Sequence, residues 1–433
     1  MRTIIAVLML AGIAAAQQTE TTALTHATVI DGTGAAPMVN STILIRNGRI
    51  IAVYPAGSRS TAAGAQTEDL TGKWIIPGLI DAHVHIANGG GDLARYRDLL
   101  GRLLLDGVTG LRDMAGDARI LGYLARESRL DSPGWPDIYY SALMAGPTFF
   151  FEDARVPGAA RGIVLGGAPW MRAVDETTDL RMAVAEAKGT GATGVKLYAN
   201  LSAALVKAIA AEAHRQGLLV WTHATVFPAK PSDAIAAGAN TVSHTAYLIW
   251  EAEPHVPSDY RSRAFGDFTR IRPDDPKITG LFEQMKEHGT ILDATLRVFE
   301  QEIEHSPDAV GKGILPWIYA VTREAHQAGV LVDAGTDSQG LVSAKQPDSA
   351  PSVLEEMGLL VENCGFTPVE AIQAATQVSA MAAGQSAERG TVGVGKAADL
   401  VVLSADPAAD IHNVRKIVEV FKDGKVFRPA QKP

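Results

Sequence analysis

The sequence predicts an α/β fold, a parallel (β/α)8 barrel of the TIM-like type, with a small β-sandwich built from both chain termini. Apolar β runs alternate with helical patterns between residues 75 and 335. Short β hairpins occur near both ends of the chain and nowhere between them. The 433 residues are enough for one large barrel domain or for two ordinary domains.

The middle of the chain carries the barrel pattern. Helical segments such as "SAALVKAIAAEAHRQG" at 202–217 lie between most of the β runs. This alternation is typical of a parallel barrel, whose functional residues lie at the carboxyl ends of the strands. A doubly wound open sheet is the competing interpretation. The predicted strands are 75–80, 108–112, 137–142, 193–198, 218–222, 240–244, 290–295 and 330–335.

Both ends of the chain have the sequence pattern of a β-hairpin. Near the amino end, "ILIRNGRIIAVY" contains Asn47-Gly48, a dipeptide that closes two-residue hairpins. Near the carboxyl end, "KIVEVFKDGKVF" contains Asp423-Gly424 in the same place. We therefore expect one discontinuous sandwich with the barrel inserted into it. The predicted boundaries are 17–76 and 390–433 for the sandwich and 77–389 for the barrel.

The first residues have the pattern of an export signal. A positive start at Met1-Arg2 precedes an apolar stretch over 4–11 and small residues over 14–16. This pattern predicts a signal peptide, residues 1–16, cleaved near Ala16, and hence a periplasmic or secreted protein. The apolar stretch is too short to span a membrane, and no cysteine lies at the cleavage site, so no membrane anchor is expected.

The net charge and the cysteine count of the chain argue against some classes of protein. A net charge of −9 and a pI of about 5.7 argue against a nucleic-acid partner. The single cysteine, Cys364, excludes an internal disulfide, so the fold must be held by its core. Cys364 lies in an apolar helical pattern and is interpreted as a packing residue.

The histidines fall into two groups. Three of them close predicted helices before a glycine and a new strand, where a histidine can cap the helix at the bottom of a barrel. Four others lie at the ends of predicted strands, the face where a barrel keeps its active site. The helix-end group is His214, His288 and His326, and the strand-end group is His83, His85, His223 and His244.

A lysine and an aspartate belong to the same predicted ring. Lys196 lies in the apolar strand "GVKLY", where burial of an ammonium is costly and a lowered pKa would let the amine form a carbamate with carbon dioxide. Such a carbamate could bridge two metal ions. Asp337, in "VDAGTDS", ends the eighth predicted strand, and Asp333 is the deeper alternative.

Several motifs together resemble the amidohydrolase superfamily, and within it the imidazolonepropionase-like and Xaa-Pro-dipeptidase-like branch. They are "GKWIIPGLIDAHVH", "DGVTGLRDM", "GVKLY", "TH" at 222–223, "SH" at 243–244, "AGTDS" and the long segment from "TPVEAIQAATQ" to "GKAADLVVL". The resemblance covers nearly the whole mature chain in the order of the family. It implies the same barrel with a flanking sandwich from both termini.

The resemblance also implies a binuclear metal centre. One metal ion would be held by His83, His85 and Asp337, and a second by His223 and His244, with carboxylated Lys196 bridging them. Zinc is the expected metal for these nitrogen and oxygen ligands, with manganese and cobalt as alternatives.

The implied reaction is hydrolysis of an amide bond by a hydroxide held between two ions roughly 3.5–4 Å apart. Asp337 would act as base and then as acid toward the leaving nitrogen. The implied substrates are dipeptides, N-acyl amino acids or similar amide-linked compounds. The alternatives are a cyclic amide, lactone or phosphoester at the same site, and an exported, non-catalytic binding protein, against which the strand-end ligands argue.

Substrate contacts are predicted around this ring. Tyr198 and Tyr247 are candidates for binding a substrate carbonyl or carboxylate. Arg112 could bind a carboxylate or brace the barrel mouth. Phe149 and Phe150 could wall an apolar pocket, or serve as a subunit contact or loop core. Relatives in this branch often assemble, so the resemblance also allows a homo-oligomer.

Overall fold

The computed structural model describes most of the chain. The described residues are 21–59, 64–88, 92–130, 134–262, 268–305, 311–338 and 352–429. The predicted signal peptide, residues 1–16 with its cleavage site near Ala16, lies outside the described residues.

Strands occur in three groups along the chain. The amino-terminal group is β1 (Thr21–Val29), β2 (Met38–Arg46), β3 (Arg49–Pro55), β4 (Gln66–Asp69) and β5 (Trp74–Pro77). The middle group is β6 (Leu79–Val84), β7 (Val108–Asp113), β8 (Asp137–Ala145), β9 (Gly167–Ala168), β10 (Met171–Ala173), β11 (Gly194–Leu197), β12 (Leu219–His223), β13 (Thr241–Ser243), β14 (Ile291–Asp293) and β15 (Val332–Asp333). The carboxyl-terminal group is β16 (Leu400–Leu403), β17 (Ile417–Lys422) and β18 (Lys425–Phe427).

The terminal strands form one mixed sheet that is separate from the barrel. Its order is β18-β17-β16-β5-β1-β2-β3, and β4 also pairs with β1. The two chain ends meet where β16 runs antiparallel to β5, with Leu400 opposite Pro77 and Leu403 opposite Trp74. Leu24, Ile43 and Phe421 are among the side chains of its own apolar core. The prediction that both termini build one β structure is therefore confirmed.

Both predicted hairpin turns are present. Asn47 and Gly48, between β2 and β3, have φ values of 52° and 74°. Asp423 and Gly424, between β17 and β18, have φ values of 48° and 76°. Positive φ at both central residues is the geometry that suits the twist of two hairpin strands, which is why these dipeptides occur there.

Eight parallel strands of the middle group form a nearly closed barrel. They follow the order β6-β7-β8-β11-β12-β13-β14-β15. The last strand returns to the first through the backbone: His85 N–H donates to the Ser338 carbonyl at 2.9 Å, and Thr336 N–H to the His83 carbonyl at 3.3 Å. The barrel prediction is confirmed, and the open-sheet alternative is excluded because of this closure.

The first predicted strand, 75–80, is in fact two strands that belong to different sheets. β5 ends at Pro77 in the terminal sheet, and β6 begins at Leu79 in the barrel. Gly78 lies between them, where a Cβ atom would come within 2.2 Å of Thr109 Oγ1. The unbroken apolar run hides this change, because both strands are buried on both faces.

Helices connect the strands on the outside of the barrel. They are α1 (Leu93–Leu105), α2 (Ala118–Ser128), α3 (Pro147–Glu152), α4 (Val156–Ala159), α5 (Leu180–Gly189), α6 (Ala203–Arg215), α7 (Pro231–Ala236), α8 (Pro276–His288), α9 (Leu296–His305), α10 (Ile314–Gln327), α11 (Ser352–Cys364), α12 (Pro368–Gln373) and α13 (Ser379–Ala382). Short 3-10 helices cover Thr245–Glu251, Tyr260–Ser262 and Ile411–Arg415, and a π-helical turn covers Ala374–Val378. Within the described residues, none of these helices has the length and apolarity of a membrane span.

A buried charge cluster joins the barrel to the terminal sheet. Lys422, at the end of β17, is 1% exposed and lies 3.0 Å from Asp137 Oδ2 and 3.3 Å from Asp399 Oδ1. Arg389 pairs with the same two carboxylates. Asp137 begins β8, so the cluster lies at the end of the barrel opposite to the carboxyl ends of its strands. It attaches the two parts of the fold at the face away from the candidate site.

We predict that Lys422→Met lowers the free energy of unfolding by about 3–5 kcal/mol, because Asp137 and Asp399 would lose a buried cation. Thermal and urea unfolding measure the loss. Lys416→Met, at an exposed position before β17, is the control and should stay within about 0.5 kcal/mol of the parent. Equal stability of the two variants would contradict the role of the cluster.

Candidate active site

The strand-end residues converge on the carboxyl end of the barrel. His83 is in β6, Lys196 in β11, and His244 directly follows β13. The ring centroids of His83 and His85 are 5.3 Å apart, and those of His83 and His244 are 5.0 Å apart. His223, at the end of β12, has its ring centroid 4.7 Å from that of His244. The structure therefore brings the predicted strand-end residues to one place.

Asp337 lies at the centre of this group. Its Oδ1 is 3.0 Å from His85 Nε2 and 3.5 Å from His83 Nε2, and its Oδ2 is 3.9 Å from His244 Nδ1. One ligand atom from each of His83, His244 and Asp337 lies within 4.8 Å of the other two, a spacing at which one metal ion could be held. His85 joins this group through Asp337, whereas His223 lies on its far side, beside His244.

The rings of His83 and His85 are each held through Nδ1. His83 Nδ1 donates to Asp293 Oδ2 at 2.6 Å, and His85 Nδ1 donates to the carbonyl of Ala115 at 3.1 Å. A carboxylate and a carbonyl can only accept, so Nδ1 of each ring carries a proton, and Nε2 is the ring atom that faces Asp337. Metal-binding histidines in proteins are commonly oriented in this way.

His223 follows the same pattern, whereas the partner of His244 is a hydroxyl group, which can donate or accept a hydrogen bond. His223 Nδ1 donates to the carbonyl of Thr225 at 2.8 Å, and His244 Nδ1 is 2.8 Å from Thr295 Oγ1. Burial lowers the pKa of His244 to about 3, which outweighs the opposite effect of Asp337. The His244 ring is therefore neutral at neutral pH, the form that binds a metal.

Lys196 is fully buried among these groups. Its Nζ donates to Ser243 Oγ at 3.0 Å, and it lines the same cavity as His83, His85 and Asp337. Burial lowers the pKa of Lys196 to about 7, an effect that the nearby carboxylates only partly offset. A substantial fraction of this amine is therefore uncharged at neutral pH.

The backbone at the site has an uncommon conformation. His244 and Asp337, which carry candidate ligands, have φ values of 76° and 54°, and Thr295, which contacts His244, has 50°. Such values are uncommon for residues other than glycine and cost of order 1–3 kcal/mol each. The surrounding hydrogen bonds hold them; for example, His244 N–H donates to the Asp293 carbonyl at 2.8 Å.

Asp337 is held in its ionised form. Burial alone would raise the pKa of Asp337, but His83, His85 and His244 together keep it below its usual range. The alternative residue, Asp333, is fully buried deeper in the barrel and pairs with Arg112. An ionised Asp337 can accept a proton from a group bound in the cavity.

Asp293 lies at the site, although it is not among the predicted site residues. It ends β14, is fully buried, and accepts hydrogen bonds through Oδ2 from His83, from the Ser243 hydroxyl at 2.8 Å and from Arg112 Nη2 at 3.1 Å. His83 and Arg112 keep the pKa of Asp293 low, although burial would raise it. Its position at the end of the predicted strand 290–295 is the same signal that identified the histidines.

Arg112 lies inside the barrel. Its side chain is fully buried, contacts Asp293 and Asp333, and lies over the ring of Trp221 with Cζ 5.2 Å from the centroid. It lines neither lobe of the cavity described below. This placement matches the bracing alternative, because a guanidinium already paired with two carboxylates inside the barrel cannot reach a substrate.

One cavity with two lobes opens from the site. The inner lobe has a volume of about 40 Å³ and an apolar wall that includes Leu143, Phe149 and Met171. The outer lobe has a volume of about 740 Å³, which is within the range of small-molecule sites, about 300–1,000 Å³. Five residues line both lobes: Asp153, Arg155, Tyr198, His244 and Asp337.

The predicted aromatic residues divide between the cavity and the core behind it. Tyr198 lines both lobes, Tyr247 lines the outer lobe, and Phe149 lines the inner lobe. Phe150 is fully buried, with its ring centroid 5.1 Å from that of Phe149, and it lines neither lobe. The loop-core alternative therefore matches Phe150, while Phe149 forms part of the wall.

A second polar cluster borders the cavity and was not predicted. Arg155 donates to both oxygens of Asp153, at 2.9 and 2.7 Å, and to the hydroxyl of Tyr198 at 3.0 Å. The hydroxyl of Tyr260 donates to Asp153 Oδ2 at 2.6 Å. The signal in the sequence is weak, since an Asp-x-Arg tripeptide in a loop is common on protein surfaces. Together with the candidate ligands, this cluster gives the cavity charged and hydrogen-bonding groups at both the strand ends and the loops.

Sequence comparison identifies the family. A family model described as "Amidohydrolase family" matches residues 74–427. The ochratoxinase of Aspergillus niger is 26% identical over an aligned length of 405 residues, and the match covers 82% of this chain and 75% of that protein. The imidazolonepropionase of Chromobacterium violaceum is 25% identical over an aligned length of 413 residues, and the match covers 90% of each chain.

Solved structures share the fold. The crystal structure of Aspergillus niger ochratoxinase has a TM-score of 0.75 with 22% identity, and the match covers 95% of this chain and 97% of that one. A Xaa-Pro dipeptidase with bound methionine in its active site has a TM-score of 0.74 with 21% identity, covering 95% and 100%. Since the family model spans the barrel together with β5 and β16 to β18, this chain belongs to the amidohydrolase family.

Proposed function

We propose that this protein is a metal-dependent amidohydrolase that cleaves the amide bond of N-acyl amino acids, dipeptides or similar amide-linked compounds. The observation that carries the proposal is the convergence of His83, His85, His244 and Asp337 around one end of a cavity that also holds Lys196. Membership of the amidohydrolase family supports the reaction class.

The donor set fits a pair of divalent metal ions. His83, His85 and Asp337 would hold one ion, and His223 and His244 the other. Lys196, as a carbamate formed with carbon dioxide, would supply oxygens to both. Imidazole and carboxylate ligands suit zinc, with manganese and cobalt as alternatives. The Nδ1 hydrogen bonds of the histidines support this fit, because they leave Nε2 of His83 and His85 directed to the site.

When bound, divalent metal ions supply Lewis acidity and acidify a water molecule. The residues of the chain supply the proton transfers. Asp337, kept ionised by its histidine neighbours, takes a proton from the attacking water at a carboxylate oxygen and gives it to the leaving nitrogen. This delivery is needed because an unprotonated amine anion is a poor leaving group. Tyr198 and Arg155 would orient the substrate beside these groups.

The cavity and the relatives support an amide of moderate size. The outer lobe can hold a small molecule, and the apolar wall of the inner lobe offers a place for an apolar side chain or acyl group. A Xaa-Pro dipeptidase is, by its name, an enzyme that cleaves dipeptides. Export of this hydrolase through the predicted signal peptide, residues 1–16, remains a prediction.

The first test is the metal content of the mature protein, purified without chelator and with bicarbonate present. We expect a metal-to-protein ratio of about two and loss of turnover on chelation, because the proposed ligand set would hold a bridged pair. Mass spectrometry of metals and release of amino acids from an N-acyl amino acid and dipeptide panel measure the two quantities.

Each outcome of this experiment has a definite meaning. A ratio of about one would support a single-metal centre with Lys196 as a plain amine. No bound metal after addition of zinc or manganese, together with chelator-resistant turnover, would contradict the proposal. Turnover of cyclic amides or lactones alone would support the other reaction at the same site.

We predict that Asp337→Asn lowers kcat by about 10²–10⁴-fold, because the amide cannot accept the proton of the water. The variant should keep the metal that the histidines hold, which metal analysis checks. Asp333→Asn is the matched control, because Asp333 is a buried carboxylate of the same segment that does not line the cavity. Turnover of Asp337→Asn at the parental rate would refute the assignment of Asp337 as the base.

We predict that Asp293→Asn weakens metal binding by about 10–100-fold, because His83 would lose the charged acceptor that orients its ring. Competition with a chromophoric chelator measures the affinity. Asp333→Asn again serves as the control, since Asp333 shares Arg112 with Asp293 but forms no hydrogen bond or ion pair with His83 within the described residues. Equal affinities in the two variants would show that Asp293 has no role in orienting the ligand.

A further inference from the structure

Two aspartate–arginine clamps of the same design occur in the structure. In Asp117–Arg119 and in Asp153–Arg155 the aspartate accepts the backbone N–H of the arginine two residues later. In both, the guanidinium binds the two carboxylate oxygens through Nε and Nη2, at 2.9 and 2.6 Å for Arg119 and at 2.9 and 2.7 Å for Arg155. The arginine side chains are 50% and 47% exposed, and both aspartates are 6% exposed.

The surroundings of the two clamps differ. Arg119 also donates from Nη2 to the carbonyl of Arg161 at 2.9 Å, and its Cζ lies 5.0 Å from the ring centroid of Trp170. Arg155 donates instead to the hydroxyl of Tyr198, and it lines both lobes of the cavity together with His244. Arg119 lines neither lobe. The same local motif is therefore used once on the outside and once beside the candidate metal site.

A count of hydrogens shows what Arg155 can still bind. Its Nε hydrogen and one Nη2 hydrogen are taken by Asp153, and the second Nη2 hydrogen by Tyr198. Neither Nη1 hydrogen has an acceptor among the described residues. The hydroxyl of Tyr198 accepts from Arg155, and its own hydrogen likewise has no acceptor in the described part of the chain. Two adjacent donor groups therefore remain at the junction of the lobes.

The clamp is held by several contacts within the chain itself. Asp153 is bound by Arg155 and by the Tyr260 hydroxyl, and these contacts lower the pKa of Asp153 to about 2 despite its burial. The Tyr198 ring contacts the rings of Phe149 and Tyr260, with centroids 5.1 and 5.7 Å away. Donors held in place lose little conformational entropy when a ligand binds.

The donors left at the junction of the lobes favour an anionic acceptor, although the two arginines beside the cavity are already paired with carboxylates. Asp153 compensates Arg155, and at the rim Glu152 pairs with Arg261 at 2.8 Å. The donors of Arg155 and Tyr198 can each take one oxygen of a carboxylate, since their heavy atoms are already within hydrogen-bond distance of each other. Hydrogen bonds from a guanidinium to a carboxylate are about twice as strong as neutral ones.

We propose that Arg155, together with Tyr198, binds a free carboxylate beside the scissile amide, so that the enzyme selects N-acyl amino acids and dipeptides over their carboxamides. The inference rests on the proposed amidohydrolase function and adds to it the residue that sets specificity. It also sets the orientation of the substrate: the carboxylate lies at the junction of the lobes, and the amide faces Asp337.

The test compares N-acetyl-L-phenylalanine, N-acetyl-L-methionine and N-acetyl-L-proline with their carboxamides, using the metal-loaded enzyme. Release of acetate measures turnover, and calorimetry measures binding. We expect Arg155→Met to lower kcat/KM for the acids by about 10–100-fold, mainly through KM, because charge-assisted hydrogen bonds are lost. The carboxamides should change by less than about threefold. Arg155→Lys should recover part of the loss.

Arg119→Met is the matched control and should leave both substrate series unchanged, because it removes the same clamp outside the cavity. Tyr198→Phe removes only a hydroxyl, so it tests the site even where Arg155→Met fails to fold. Equal losses on acids and carboxamides, or no preference for acids in the parent enzyme, would overturn the proposal while leaving the amidohydrolase function intact. No turnover of either series, with acids still bound in preference, would instead contradict the proposed function alone.

Discussion

The buried carboxylate of Asp293 is the contact on which the geometry of the candidate site depends. It lies on β14 and accepts hydrogen bonds from His83 on β6, Arg112 on β7 and Ser243 on β13. Ser243 in turn accepts from Lys196 on β11. A buried carboxylate without a partner is costly, so these contacts to Oδ2 compensate the charge of Asp293 and at the same time set the positions of two candidate ligands.

Arg112 stabilises this arrangement, because its guanidinium forms ion pairs with both Asp293 and Asp333 inside the barrel. Burial raises the pKa of Asp333 well above its usual range, whereas Asp293 stays ionised beside His83 and Arg112. The interior of the barrel is therefore not only an apolar core. It carries a charge network that supports the site from below, while the outer face of the site is open to the cavity.

The outer face is built from loops rather than from strands. Asp153 and Arg155 lie between α3 and α4, in the connection after β8, and Tyr260 lies in the connection after β13. In barrel enzymes, variation of these connections allows one fold to support many functions. In this chain the candidate ligands lie at strand ends, whereas the Arg155 cluster lies on such connections.

Much of the fold could be predicted because its signals are local. Alternating β runs and helices indicate a barrel, and Asn47-Gly48 and Asp423-Gly424 mark hairpins at both ends. The change of sheet at Gly78 could not be predicted, since it depends on the contact with Thr109 across the barrel and leaves no break in the apolar pattern.

The sequence by itself determined the barrel, the terminal sheet and the strand-end residues, because strand periodicity and strand ends can be read from neighbouring residues. Only the tertiary structure decided that Asp293 holds His83, that Arg112 braces the interior and that Arg155 borders the cavity. Those contacts join residues far apart in the chain, and the same Asp-x-Arg motif has a different setting at Arg119. The local sequence identifies an Asp-x-Arg motif, and the packing of distant segments determines which residues surround its side chains.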